Sequence, residues 1–190
     1  MERNNVMYRT MQSVLTTRDG ETNEAPVIEG YFAVFDSNYD MGYGMSESVA
    51  PGAFSETLSG DVRALIDHDT RLVLGRTTAH TLELREDSHG LWGKIYINPK
   101  DSEAMNLYER VKRGDVSQCS FGFEILSEET TFPADGEIHW RITKVKLYEV
   151  SCCTYPAYEE TGISARKKDR EQIEKRKSEA ALLKKLKGEK

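Results

Sequence analysis

Ser117-Gln118-Cys119-Ser120-Phe121-Gly122-Phe123 is the stretch on which the reading of this chain turns. At a period of two, Ser117, Cys119, Phe121, Phe123 and Ile125 fall on one face of a strand. Val116, Gln118, Ser120 and Gly122 fall on the other. The first face is bulky and largely apolar, so it should pack on a core. The second is small and polar, and Gly122 leaves space beside the Ser120 hydroxyl. Two readings fit. Ser120 is an incidental serine on a half-buried strand, the commoner case, or it is a nucleophile on a strand that packs its other face.

Immediately upstream, Asp101 or Ser102 is placed to cap a helix running to about Arg113. Ala104, Leu107, Tyr108 and Val111 form its inner face, and Gly114 is its stop. Downstream comes a polar hairpin with Pro133-Ala134-Asp135-Gly136 as its turn, then Ile138 to Ile142 and a strand from Val145 to Cys153. Strict alternation puts Val145, Leu147, Glu149, Ser151 and Cys153 on one face, so Glu149 interrupts an apolar row. A buried carboxylate without a partner costs several kcal/mol or a large pKa shift, so it calls for a cationic or protonatable neighbour. The opposite reading turns Glu149 to solvent and Tyr148 and Val150 to the core.

Further out, Val62, Ala64, Ile66 and His68 alternate onto one strand face, with Asp67 and Asp69 flanking the histidine. A buried structural histidine explains such a row. So does a base held at the mouth of the core. Leu72 to Arg76 reads as a strand, and residues 81–97 as a hairpin turning at Glu86 to Gly90. Gly30 to Phe35 reads as a buried strand, Asp36 to Ser48 as a loop, and Pro51 to Leu58 as a short helix. His80 and His89 lie in loops and receive no role.

The length of 190 residues suits one domain with a real core. No apolar run is long enough to span a membrane, and residues 1–5 lack the apolar region of a secretory signal. Three cysteines, two of them adjacent, do not form a disulfide framework, which points to a reducing compartment. The net charge of −6 is unevenly spread. Residues 163–190 hold 11 Lys+Arg and 5 Asp+Glu, so a body of −12 carries a tail of +6. The tail's composition, free of Pro and Gly from Ala165 to Lys187, predicts a helix with sparse apolar positions at Ile173, Ala180, Leu183 and Leu186. It reads either as a docking segment or as a solvated helix.

A serine, a histidine and a glutamate on three separate strands are the parts of an acyl-transfer site. Imidazole takes the serine proton and a carboxylate holds the imidazole's tautomer. Their spacing does not establish that they meet. His68, Asp67 and Asp69 also allow a metal site, although no HxxxH or HxH spacing is present.

The collinear segments Glu29-Gly30-Tyr31-Phe32-Ala33-Val34-Phe35-Asp36, Ala50-Pro51-Gly52-Ala53-Phe54, Ala64-Leu65-Ile66-Asp67-His68-Asp69 and Leu74-Gly75-Arg76-Thr77 carry a resemblance. It continues through Arg113-Gly114-Asp115-Val116-Ser117, Ser120-Phe121-Gly122-Phe123, Leu147-Tyr148-Glu149-Val150-Ser151 and Tyr155-Pro156-Ala157-Tyr158. Over residues 27–160 the chain resembles the HK97-type prohead (procapsid) maturation proteases of tailed bacteriophages. The resemblance implies an α+β, β-rich fold: a mostly antiparallel β-barrel with surrounding helices, related to herpesvirus capsid maturation proteases. It implies a serine endopeptidase in residues 1–162, with His68 as general base, Ser120 as nucleophile and Glu149 orienting His68. His139 is the alternative third member. No cofactor and no metal are implied. The expected substrates are the major capsid protein and scaffold, and then the protease itself, inside the procapsid in the host cytoplasm, with loss from the mature virion. A homodimer is allowed; membrane and nucleic acid are not expected. Residues 163–190 become a scaffold-docking or encapsidation tail, removable near Gly162. A catalytically silent capsid component of the same fold is the alternative. Cys119, Cys152 and Cys153 stand where small or branched apolar residues are expected in relatives, and Cys119 is read as core packing.

Overall fold

Cys119, Phe121 and Phe123 are buried in the main core, as their alternation predicts. The rings of Phe121 and Phe123 stack at 4.8 Å between centroids, and Phe54 meets Phe121 edge-on at 5.5 Å. Each such ring withdrawn from water contributes roughly 1.5–3 kcal/mol. The computed structural model describes residues 6–12, 15–19, 25–132, 137–155, 166 and 169–179.

The strands are β1 (Met7–Gln12), β2 (Thr16–Arg18), β3 (Val27–Val34), β4 (Tyr39–Gly42), β5 (Met45–Val49), β6 (Arg63–Ile66), β7 (Asp69–Arg76), β8 (Leu82–Glu86), β9 (Gly90–Tyr96), β10 (Gln118–Thr131) and β11 (Ile138–Cys153). Helix α1 (Ser102–Arg113) lies between β9 and β10. The Asp101 carboxylate accepts from the main-chain N–H groups of Glu103 and Ala104, a cap worth about 1 kcal/mol. Gly114, at φ 91°, ends the helix in the left-handed conformation that glycine takes most easily. Ala104, Leu107, Tyr108 and Val111 are its buried face, as expected.

Two sheets result. One runs β1-β10-β11-β5-β4, with β6 added to β11 and β7 to β6; the other runs β2-β3-β9-β8. Most pairings are antiparallel, but the long β11 pairs in parallel with β5 through Ile138–Ile142 and with β6 through Glu149–Cys152. The expected mostly antiparallel β-barrel with surrounding helices is corrected: the described strands form two sheets sharing one core, with no closed barrel. The fold is β-rich, with few helices. No described helix is long and apolar enough to cross a membrane.

Four local expectations change. Residues 36–48 are not only loop; β4 and β5 form a hairpin there, turning at Tyr43 and Gly44, both at positive φ. Met41 and Met45 anchor it in a second core cluster with Ile138 and Trp140. Residues 51–58 form successive turns, not a helix: Gly52 sits at φ 86°, and the Phe54 N–H goes to the Glu86 carboxylate at 2.9 Å. Ser117 is exposed and precedes β10; it does not share the packed face. The row from Val62 to His68 also ends early, because β6 stops at Ile66 and His68 lies in the turn.

The described part of the charged tail, residues 166 and 169–179, is docked. Ile173 packs on the second cluster, and residues 169–179 are helical. Arg166, only 3% exposed, bonds Glu47 at 2.9 Å and Glu128 at 2.6 Å and lies over the Trp140 ring at 4.7 Å. Glu47 also takes Arg9 of β1 at 2.6 Å. Burial opposes ionisation of Glu47, but the two guanidinium groups outweigh it and hold the carboxyl below its usual range. The expected turn at Pro133–Gly136, the boundary near Gly162 and the tail beyond residue 179 lie outside the described residues.

Candidate active site

A break in the β11 ladder creates the site. Phe121 is opposite Val150 and Gly122 opposite Glu149, yet Phe123 is opposite Leu147, so Tyr148 is an extra residue on β11. The bulge exchanges the faces. Val145, Leu147, Val150 and Cys152 all join the main core, while Glu149, Ser151 and Cys153 project from the other side. The single row through Val145, Leu147 and Glu149 is thus corrected; neither of the two facings expected from strict alternation describes it. The polar face now holds Ser120 opposite Ser151, Gly122 opposite Glu149 and Gln118 opposite Cys153. The edge strand β1 adds Tyr8 opposite Gly122 and Thr10 opposite Ser120.

His68 reaches this face from a tight turn. Asp67 and His68 connect β6 to β7 with φ of 46° and 61°. Two non-glycine residues in the left-handed region carry strain that the surroundings must hold. The Asp67 N–H goes to the Cys152 carbonyl at 3.1 Å, and the Asp67 carboxylate accepts from the Thr154 N–H at 2.7 Å and the Thr154 hydroxyl at 3.0 Å. Asp69 turns away to Arg71, whose hydrogen bonds hold its carboxyl down to about 2. Neither aspartate is therefore directed at His68. Among the described residues, no three His, Cys, Asp or Glu side chains gather as a metal site.

The imidazole lies between alternate residues of β11. Its Nδ1 is 2.6 Å from Oε1 of Glu149, and its Nε2 is 3.8 Å from the Cys153 sulfur. It thereby spans the row that contains Ser151 and, across the ladder, Ser120. The carboxylate is an acceptor, so Nδ1 carries the proton in the neutral ring and Nε2 presents its lone pair. The Tyr8 ring covers the imidazole at 4.4 Å between centroids. Burial, with the charge of Glu149 adding to it, raises the Tyr8 pKa and keeps the phenol neutral.

Gly122 is needed here for space. A Cβ at this position would stand 2.5 Å from Oε1 of Glu149 and 2.9 Å from Cε1 of Tyr8. The space that glycine provides therefore belongs to the carboxylate that holds His68, more than to the Ser120 hydroxyl.

Ser120 is fully buried, and its hydroxyl donates to the Arg9 carbonyl at 2.9 Å. The Cys153 thiol stands at the imidazole nitrogen that would receive a nucleophile's proton. Burial pushes that thiol's pKa far up, so it carries little thiolate. His139 lies well away at the other end of β11, with Nδ1 and Nε2 each 2.9 Å from the hydroxyls of Ser46 and Ser48. The structure therefore joins His68 to Glu149, sets Ser120 on the same face with its hydroxyl turned to Arg9, and keeps His139 apart. Tyr8, Ser151 and Cys153 are site neighbours that the sequence alone does not single out. Ser151 and Cys153 sit two and four places beyond Glu149, where an unbroken alternation from Glu149 onward points.

The sequence model of the family described as Caudovirus prohead serine protease matches residues 13–176. The chain belongs to that family. It is 31% identical over 155 residues to the prohead protease of Enterobacteria phage HK97, an alignment covering 80% of this chain. The chain spans 63% of that relative's length. A solved structure of the bacteriophage T4 capsid assembly protease matches 78% of this chain and 99% of its own, at a TM-score of 0.45 and 10% identity. Membership of the family agrees with the resemblance seen over residues 27–160.

Proposed function

We propose that this chain is a serine endopeptidase of procapsid maturation, with Ser120 as nucleophile, His68 as general base and Glu149 as the group that orients His68. The observation that carries the reading is the 2.6 Å bond between His68 and Glu149, formed over the sheet face that bears Ser120. In the working state the Ser120 hydroxyl leaves the Arg9 carbonyl and donates to Nε2 of His68. Its oxygen then attacks the scissile carbonyl as its proton passes to Nε2. The imidazolium formed is stabilised by Glu149 and returns the proton to the departing amine. Water repeats the cycle to release the acyl group. Base assistance of this kind is worth about 10²–10⁴ in rate.

The resting bond of Ser120 to Arg9 suits a protease packed among its own substrates, which must stay quiet until assembly. The substrates are the major capsid protein and scaffold, and then the protease itself, inside the procapsid in the host cytoplasm; the protease is lost from the mature virion. Kinship in fold to herpesvirus capsid proteases and a homodimeric working form belong to the same reading. So do a protease domain of residues 1–162 and a removable tail of residues 163–190. The burial of Arg166 adds that a cut near Gly162 leaves the tail bound until its ion pairs open.

A second reading has a specific observation behind it: Cys153, not Ser120, is the side chain beside Nε2. A Cys153-His68-Glu149 site would be a thiol protease. The raised thiol pKa weighs against it. Co-expression of the chain with the neighbouring capsid protein, read by intact mass, separates the cases. Loss of cleavage in Ser120→Ala and retention in Cys153→Ala supports the serine. The reverse pattern supports the thiol, and no cleavage by the unaltered chain supports a silent capsid component.

A further inference from the structure

Three alternate residues of β11 touch one histidine, each at a different place. Glu149 meets Nδ1, Cys153 meets Nε2, and between them Ser151 meets the main chain. The Ser151 oxygen accepts from the His68 N–H at 3.2 Å and donates to Oε2 of Glu149 at 2.6 Å. One buried hydroxyl therefore holds both ends of the His68–Glu149 pair. It fixes the backbone from which the imidazole hangs, and it fixes the carboxylate oxygen that His68 leaves unused.

We propose that Ser151 is a positioning residue of the catalytic pair, a fourth member that acts through Glu149 and His68 and not on substrate. This rests on the assignment of His68 and Glu149 made above. A carboxylate has two oxygens and rotates about its last bond. With only Oε1 held, the plane of Glu149 can swing and the Nδ1 bond lengthens. With Oε2 also held, rotation would break a second bond of 2.6 Å in a buried site. The bond to the His68 N–H matters for a separate reason. His68 sits at a positive φ, and its turn needs local bonds to stay there. A hydroxyl supplies one donor and can accept at the same time, so serine meets both demands with the smallest side chain able to do so. Ser151 gives its proton to Oε2 of Glu149 and its lone pair to the His68 N–H, so its contacts lie with the pair it holds.

The test uses the full chain carrying Ser151→Ala or Ser151→Thr. Cleavage of the capsid protein gives kcat and KM, and the low-field proton resonance of the His68 Nδ1–H reports the His68–Glu149 bond without needing activity. Ser151→Ala should lower kcat about 10- to 100-fold with KM within about twofold, the scale of a lost orienting group. It should also shift or broaden the Nδ1–H resonance. Ser151→Thr, which keeps the hydroxyl, should restore most of both. Wild-type kcat and resonance in Ser151→Ala would overturn the proposal, as would Ser151→Thr failing as deeply as Ser151→Ala while remaining folded. If Ser151→Ala does not fold, Ser151→Cys, a weaker donor of similar size, takes its place with the same expectations. The same resonance compared in a Ser120→Ala background keeps the outcomes distinct. A change there on removing the Ser151 hydroxyl supports positioning even if Ser120 proves not to be the nucleophile, and an unchanged resonance counts against it.

Discussion

Gly122→Ala adds one methyl group at the centre of the site. The new Cβ would lie 2.5 Å from Oε1 of Glu149, against about 3.4 Å for ordinary contact, so the carboxylate must retreat by about 0.9 Å. A retreat of that size can lengthen the 2.6 Å bond to His68 to about 3.5 Å, beyond useful hydrogen bonding. The Tyr8 ring, 2.9 Å from the same Cβ, must also give way, and it is the ring that covers His68. Both displaced groups are side chains, so the fold should lose only ~1–3 kcal/mol. Catalysis should lose far more, because a misplacement of about 1 Å costs on the order of 10²-fold. The assay is cleavage kinetics of the capsid protein or a peptide spanning its cut site, beside a urea unfolding curve. A cycle with Glu149→Ala sharpens it: once the carboxylate is gone, adding Gly122→Ala should change kcat by less than about threefold. An unchanged kcat in Gly122→Ala, or an equal loss in the two backgrounds, would refute the reasoning.

Other expectations follow from the same contacts. Cys153→Ala should retain cleavage within a few-fold, since a protonated thiol only occupies Nε2 at rest; abolished cleavage would make Cys153 the nucleophile. Arg166→Ala should lower stability to urea by ~3 kcal/mol and change Trp140 fluorescence, because it leaves the buried Glu47 with Arg9 alone; an unchanged midpoint would show the tail to be undocked. Glu47 has a folded pKa below its unfolded value, so it stabilises at pH above about 4.3 and that contribution is lost as pH falls through the lower folded value. Urea midpoints between pH 7 and pH 3 should therefore drop below about 4.3 more steeply for the unaltered chain than for Glu47→Gln.

Period-two alternation makes the core face legible. It places Cys119, Phe121 and Phe123 inside from residue type alone, and α1 is equally plain because its Asp cap, inner face and Gly stop agree. Alternation fails where geometry breaks its period. The extra residue at Tyr148 flips Glu149 off the core side, and nothing in Leu147-Tyr148-Glu149 marks a bulge. His68 reads as the end of a strand because Asp67-His68 lacks the glycine that usually signals a two-residue turn. The cost of burying a carboxylate calls for a protonatable partner for Glu149 without naming His68, and the resting bond of Ser120 to a main-chain carbonyl leaves no trace in residue type. Arg166 is one of 11 basic residues in its segment; its burial depends on Glu47, Glu128 and Trp140, which are distant in sequence.

The most direct measurement is intact-mass analysis of the capsid protein co-expressed with this chain, comparing the unaltered chain with Ser120→Ala. Cleavage by the first, with none of the capsid protein or the chain itself cut in the second, is the expected result. Capsid protein cut at the same site and to the same extent by Ser120→Ala would contradict Ser120 as the nucleophile.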